Sequence, residues 1–142
     1  AWGSAAVYMG STVNARAVVR AARSHGADIV LIPAGLATDP HFDAQEDWAA
    51  AAAIALEAGA DVGEGADTFA CWRDRIENEG LEALFQGAPH AAKLRAVRLE
   101  DDIAYCARLN LTEAVPAARE RTAHGVVLRA AAGLSLEKAG WR

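Results

Sequence analysis

Polar residues follow a short apolar run near the start of the chain, in the stretch YMGSTVN. Gly10 lets a backbone approach a ligand closely, Ser11 can cap a helix or donate a hydrogen bond, and Asn14 can reach a neighbouring loop. A helix that begins here would point its free N–H groups at an anion such as phosphate. The same residues equally fit an ordinary helix start, because serine is common at the N-cap.

A second polar group follows the next apolar run and consists of Asp39, His41, Asp43, Glu46 and Asp47. Carboxylates without neighbouring basic residues suit Mg²⁺, which commonly takes one or two carboxylates, waters and substrate phosphate oxygens. The alternative is structural: Asp43 and Glu46 form a capping box, and Asp47 faces solvent. Because adjacent helical residues point about 100° apart, we expect only one of Glu46 and Asp47 to face a site.

The composition and the missing motifs exclude or disfavour several other functions. The net charge of −5 disfavours a generic nucleic-acid binder, and the longest apolar run, Trp48–Leu56, is too short to span a membrane. Cys71 and Cys106 stand apart without a C-x-x-C spacing, which favours two buried, reduced thiols in the cytoplasm, with a disulfide as the alternative. The sequence has no zinc signature, G-x-S-x-G, P-loop or dinucleotide-binding glycine motif.

The elements that must position these residues begin with an alternation of strands and helices. Short apolar runs predict strands at Ala5–Met9 and Asp28–Pro33, with the second parallel to the first. Helical periodicity predicts helices at Val13–Ser24 and Glu46–Ala58. In an open parallel sheet the segments that follow two such strands meet at one edge. We therefore expect both polar groups at the same edge.

The rest of the chain is predicted to be mainly helical. Helices are expected at Thr68–Glu79, Leu81–Phe85, Pro89–Val97 and Leu99–Leu109, and short edge strands at Ala114–Pro116 and Val126–Leu128. The predicted class is α/β: a three-layer α/β/α arrangement with a largely parallel or mixed sheet and several C-terminal helices. With 142 residues, of which 53% are hydrophobic, the chain is expected to form one domain.

Five stretches, taken in order, resemble one known family. They are GSTVNARAV, DIVLIPAG, FDAQEDWAAAAAIA, EDDIAYCARLN and AVP, which begin at Gly10, Asp28, Phe42, Glu100 and Ala114. In this order and spacing they are similar to the C-terminal half of the 2-phosphosulfolactate phosphatases, the ComB family. The combination of motifs carries the resemblance, since no single piece is diagnostic.

The resemblance implies a Mg²⁺-dependent hydrolase that converts 2-phosphosulfolactate and water into sulfolactate and phosphate, a step of coenzyme M biosynthesis. It implies an α/β fold with the site at an edge of the sheet. By matching motif, Gly10, Ser11 and Asn14 are candidate phosphate-binding residues. Glu46 and Asp47 are candidate catalytic residues and Mg²⁺ ligands.

Expectations about the whole protein follow from the same resemblance. We expect residues 1–142 to be the C-terminal portion of a longer cytoplasmic phosphatase that acts on a small anionic phosphate ester, with no nucleic-acid or membrane partner. A homo-oligomer is compatible with the incomplete sheet. Two alternatives stay open: a non-catalytic family member or subunit that binds an anionic metabolite, and an α/β interaction domain without a ligand.

Overall fold

The computed structural model describes residues 3–4, 6–35, 43–59 and 61–131. Within these ranges a short 3-10 helix, Thr12–Asn14, runs directly into the first of six α-helices. The helices are α1 Ala15–Arg23, α2 Gln45–Ala58, α3 Ala66–Glu79, α4 Leu81–Gly87, α5 Pro89–Ala96 and α6 Glu100–Cys106. All six predicted helices are confirmed, although α6 ends three residues earlier than the sequence predicts.

Local sequence signals explain where several of these helices begin and end. Gly80 separates α3 from α4 with a φ of 81°, a left-handed conformation that glycine adopts without steric cost. Pro89 opens α5 at its first position, where the missing N–H has no intrahelical acceptor to lose. Gly59 ends α2 in the left-handed region, as is common just beyond a helix.

The sheet is small and antiparallel. Strand β1, Pro116–Thr122, pairs with β2, Gly125–Ala130, and an irregularity between Ala118 and Glu120 interrupts the register. The prediction of a strand at Val126–Leu128 is confirmed, whereas of Ala114–Pro116 only the last residue belongs to a strand.

Of the first predicted strand, the described residues form only an isolated β-bridge, on the edge of β1 that does not pair with β2. Tyr8 pairs antiparallel with Ala117, supported by backbone hydrogen bonds of 2.9 Å from Met9 N to Pro116 O and from Ala118 N to Val7 O. Ala5, where this strand was predicted to begin, lies outside the described residues.

The predicted strand at Asp28–Pro33 is wrong for the described residues. These residues form no regular element, and the side chains of Val30 and Ile32 are 79% and 76% exposed. A run of β-branched residues favours an extended chain, but a strand also needs a neighbour for its backbone N–H and C=O groups. No strand within the described part of the chain pairs with it, so the expected parallel pair is absent there. The fold is broadly α/β, and the three-layer arrangement stays a prediction.

Two apolar clusters hold the described elements together, and α2 contributes to both. In the first, Val18 of α1 and Ile54 of α2 pack with Val115 and with Ala117 of β1. In the second, Ala49 of α2 packs with apolar residues of α4, α5 and α6: Leu84, Phe85, Ala91 and Ile103. The N-terminal half of α2 thereby packs against the group formed by α4, α5 and α6. None of the described helices is both long enough and apolar enough to cross a bilayer.

Candidate active site

A cavity of about 290 Å³ lies where the 3-10 helix faces the first turns of α2 and α5 and the side of α6. Its polar lining comes from Ser11, Thr12, Glu46, Asp47, His90 and Asp102. Gly10 contributes backbone to the same wall. The structure therefore brings residues from both predicted polar groups to one cavity, even though the parallel strand pair that was expected to align them is not formed.

The acidic wall of the cavity is the first turn of α2. The helix begins at Gln45 with Ala44 as its N-cap and no side-chain capping bond, so the predicted capping box of Asp43 and Glu46 is wrong. Glu46 and Asp47 both line the cavity, contrary to the expectation that only one would. At the end of a helix, neighbouring side chains can both reach a cavity that wraps around the first turn. Acids in this turn also complement the helix dipole.

The other members of the second polar group do not join this wall. Asp43 is exposed and is not among the residues that line the cavity. Asp39 and His41 lie outside the described residues.

The carboxylate of Glu46 is bound on one side only. Its Oε1 lies 2.6 Å from Nδ1 of His90, at the start of α5. Its Oε2 is buried and has no hydrogen-bond partner among the described residues. A buried carboxylate oxygen without a partner loses its hydration and gains nothing in exchange, which costs on the order of 1–3 kcal/mol. An oxygen in this position is typical of a group that binds a ligand.

Asp47 is electrostatically unfavourable in its charged form. Partial burial raises the pKa of its carboxyl above the usual value, the negative charge of Glu46 raises that pKa further, and His90 opposes the shift. A cation between the two carboxylates would reverse the repulsion, since a bound divalent ion is often the largest charge in such a site. The two carboxylates of this wall therefore fit a site for a bound cation better than a site without one.

Behind the opposite wall, the side chain of Asn14 is fully hydrogen-bonded within the protein. Its Nδ2 donates to the carbonyl oxygens of Met9 and Ala114 at 3.2 and 2.9 Å. Its Oδ1 accepts from Ser11 N at 2.8 Å and from Ser11 Oγ at 3.3 Å. Asn14 is buried and does not line the cavity, so its contacts fix Ser11 in place. Direct phosphate binding by Asn14 stays a prediction.

Gly10 has a packing reason to be glycine. A Cβ at this position would come within 3.0 Å of Ile54 Cδ1 and 3.3 Å of Val18 Cγ1. The missing side chain thus permits the close approach of the backbone to α1 and α2. This does not exclude a contact with a ligand, because the same residue also borders the cavity.

Sequence reasoning did not assign His90, Asp102, Thr12 or Cys106 to the site. The hydroxyl of buried Thr12 donates to the carbonyl oxygen of Cys106, which joins the 3-10 helix to the end of α6. Cys71 and Cys106 are free and both residues are exposed, so the expectation of buried thiols is wrong. Partial desolvation still raises the pKa of the Cys106 thiol, and the nearby charge of Asp102 adds to this effect. The sequence held a signal for two of these residues: Asp102 and Cys106 are four residues apart on one helix and hence share a face. For His90 the sequence held no signal except its position directly after Pro89.

The donor set fits Mg²⁺ better than a transition metal. Among the described residues no group of three or more His, Cys, Asp or Glu side chains could hold an ion. Two carboxylates with one unpartnered oxygen are nonetheless what Mg²⁺ commonly takes from a protein, with waters and substrate phosphate oxygens as the other ligands. Glu46 and Asp47 would hold the ion.

Comparison with known proteins places the chain in a family. A search of curated proteins finds no match. The family model described as 2-phosphosulpholactate phosphatase matches residues 2–121. The match covers most of the 142 residues and includes both walls of the cavity. The chain belongs to the 2-phosphosulpholactate phosphatase family.

Proposed function

We propose that the cavity is the active site of a Mg²⁺-dependent phosphomonoester hydrolase, with 2-phosphosulfolactate as substrate and sulfolactate and phosphate as products. Family membership supports the phosphatase class. The observation that carries the site is the buried Oε2 of Glu46, which has no hydrogen-bond partner among the described residues, on a residue that lines the cavity together with Asp47 and Ser11. In this proposal the chain is part of a longer cytoplasmic phosphatase.

The charge of the cavity supports the metal requirement. Glu46, Asp47 and Asp102 all line it, and its described lining contains no Lys or Arg. A substrate with phosphate, sulfonate and carboxylate groups would be repelled by three carboxylates at close range. Positive charge is needed, and the first turn of α2 can hold it as a divalent cation. When bound, Mg²⁺ supplies the Lewis acidity that polarises a phosphoryl oxygen and an attacking water.

The chain's own groups then orient the substrate. Thr12 and Val13 line the cavity at the start of the 3-10 helix, where the first N–H groups have no intrahelical acceptor. These N–H groups would bind phosphate oxygens opposite the α2 carboxylates. The Ser11 hydroxyl would join them by turning its single proton from Asn14 Oδ1 to the phosphate. The remainder of the wall is mainly apolar and includes Phe85 and Leu94, so charged groups in the cavity would interact more strongly than in bulk water.

The test is Asp47→Asn in the full-length protein, with phosphate release from 2-phosphosulfolactate as the measurement. We expect turnover to fall at least about 100-fold, because a neutral amide is a poor Mg²⁺ ligand. The matched control is Asp67→Asn, which changes the same residue type in the first turn of α3, away from the cavity.

Three outcomes separate the proposals. Unchanged turnover in Asp47→Asn would contradict the metal assignment. No phosphate release by the unsubstituted protein from a panel of small phosphomonoesters, combined with heat of binding for 2-phosphosulfolactate, would favour a non-catalytic binder of anionic metabolites. No heat with either Mg²⁺ or 2-phosphosulfolactate would favour an interaction domain.

A further inference from the structure

The contact between Glu46 and His90 joins two helix starts that are far apart in the chain. Glu46 lies in the first turn of α2, and His90 is 44 residues away at the second position of α5. Both backbones are held in the second apolar cluster, in which Ala49 of α2 and Ala91 of α5 are almost completely buried. The 2.6 Å contact therefore joins side chains on two helices that belong to the same buried cluster.

The direction of the hydrogen bond follows from the chemistry of its partners. A carboxylate oxygen can only accept, so Nδ1 of His90 carries the proton and donates it to Oε1 of Glu46. This bond restrains the long Glu46 side chain, which would otherwise rotate about three torsions. The restrained carboxylate keeps Oε2 buried and without a hydrogen-bond partner among the described residues, in spite of the cost.

We propose that His90 is a positioning residue: its Nδ1–H holds Oε1 of Glu46, which leaves Oε2 for a divalent cation. This inference rests on the proposed function, since it assumes that the α2 carboxylates bind the metal. Carboxylate ligands of metals are commonly held by hydrogen bonds from neighbouring groups, and loss of such a bond typically weakens metal binding about 10–100-fold. In this role His90 does not touch the metal itself.

Two isosteric replacements distinguish positioning from direct ligation. The side-chain amide nitrogen of asparagine falls near the place of Nδ1 in histidine, whereas that of glutamine reaches farther, near the place of Nε2. His90→Asn therefore preserves the bond to Glu46, and His90→Gln does not. A direct ligand that acts through Nε2 would show the opposite order.

The experiment is calorimetric titration of Mg²⁺ alone into the full-length protein and its variants. We expect His90→Ala and His90→Gln to weaken Mg²⁺ binding about 10–100-fold, and His90→Asn to restore most of the affinity. His124→Ala, in the exposed turn between β1 and β2, is the control and should bind Mg²⁺ normally. Thermal unfolding measures the folded fraction of each variant. If His90→Ala does not fold, the comparison of Mg²⁺ affinity between His90→Asn and His90→Gln still tests the proposal.

The outcomes separate this inference from the proposed function. Equal Mg²⁺ affinity in all His90 variants overturns the positioning role, whether or not the protein is a phosphatase. Weaker binding in His90→Asn than in His90→Gln also overturns it, in favour of direct ligation. Normal Mg²⁺ binding and the expected variant order without phosphate release contradict the proposed function alone. An unsubstituted protein that binds no Mg²⁺ contradicts both.

Discussion

The two ends of helix α2 carry glutamates in opposite situations. At the first turn, Glu46 makes one bond to His90 and leaves Oε2 buried without a partner among the described residues. At the last turn, both oxygens of Glu57 are bound: Oε1 accepts from Arg16 Nε at 2.7 Å and Oε2 from Asn110 Nδ2 at 3.2 Å. One residue type on one helix thus serves two environments.

The pKa shifts at the two ends have opposite signs because their causes differ. Hydrogen bonds from Arg16 and then Asn110 hold the pKa of Glu57 below its usual value, so folding favours its charged form. Partial burial and the neighbouring Glu46 charge raise the pKa of Asp47, so folding disfavours its charged form. We infer that the last turn is optimised for stability and the first turn for binding. Identical changes at the two ends should therefore have different consequences.

The sharpest test of this contrast is the pair Glu46→Gln and Glu57→Gln. Glu46→Gln keeps the size of the side chain but removes the charge that would hold Mg²⁺. We expect Mg²⁺ affinity to fall at least about 30-fold, while the free energy of unfolding without metal changes by less than about 0.5 kcal/mol. Calorimetric Mg²⁺ titration and urea denaturation of the full-length protein measure the two quantities.

Glu57→Gln is the control, because it makes the same change at the other end of the helix. Its Mg²⁺ affinity should match that of the unsubstituted protein. Equal loss of Mg²⁺ affinity in both variants would mean that the contrast between the two ends is wrong.

The sequence predicted the helices well because their limits are encoded locally. Gly80 and Pro89 mark breaks that need no knowledge of the rest of the fold. Strands depend on distant partners, and here the prediction failed in part. The segment around Tyr8 meets Ala117, more than a hundred residues away, while Asp28–Pro33 meets no strand within the described residues. The apolar patterns of the two segments are alike, so only tertiary pairing separates them.

The same distinction explains what could be predicted of the site. Ser11, Glu46 and Asp47 each follow an apolar run and lie at a helix start, which is a local pattern. The contact of His90 with Glu46 and the bond from Asn14 to the Ala114 carbonyl connect residues 44 and 100 positions apart. No local pattern announces such pairs. The contacts that restrain Ser11 and Glu46 could therefore not be predicted from the sequence, and the structure was needed to find them.

A second prediction concerns Asn110, which supports the stable end of α2. Its backbone has a φ of 58°, its Oδ1 accepts from Arg16 N at 2.7 Å, and its Nδ2 donates to Glu57. Asn110→Ala removes both side-chain bonds and places alanine in a left-handed conformation. We expect the free energy of unfolding to fall by about 2 kcal/mol, as measured by urea denaturation.

The matched variant Asn110→Gly keeps the backbone conformation and loses only the side-chain bonds. It should cost about 1 kcal/mol, so the difference between the two variants isolates the backbone contribution. Equal losses in both would show that backbone strain contributes nothing. Mg²⁺ affinity should be unchanged in both variants, because the lost side-chain bonds are to Arg16 and Glu57, neither of which lines the cavity.

The smallest effect that we predict is the pH dependence of the Glu57 contacts. The pKa of Glu57 is lower in the folded protein than in the unfolded chain, so the unfolded chain binds more protons between the two values. The stability that these contacts contribute is therefore complete above the unfolded pKa, about 4.3 for a glutamate, and is lost as the pH falls through the folded value.

The difference in unfolding free energy between the unsubstituted protein and Glu57→Gln measures this term, since other titrating groups cancel. At pH 7 the difference should be about 0.5 kcal/mol in favour of Glu57, because the pair with Arg16 is half in solvent and largely screened. It should shrink towards zero as the pH falls through the lowered folded pKa of Glu57, and it should also shrink in concentrated NaCl. A difference that is independent of pH would show that Glu57 stabilises α2 by packing. In that case the two ends of the helix would differ in geometry but not in charge.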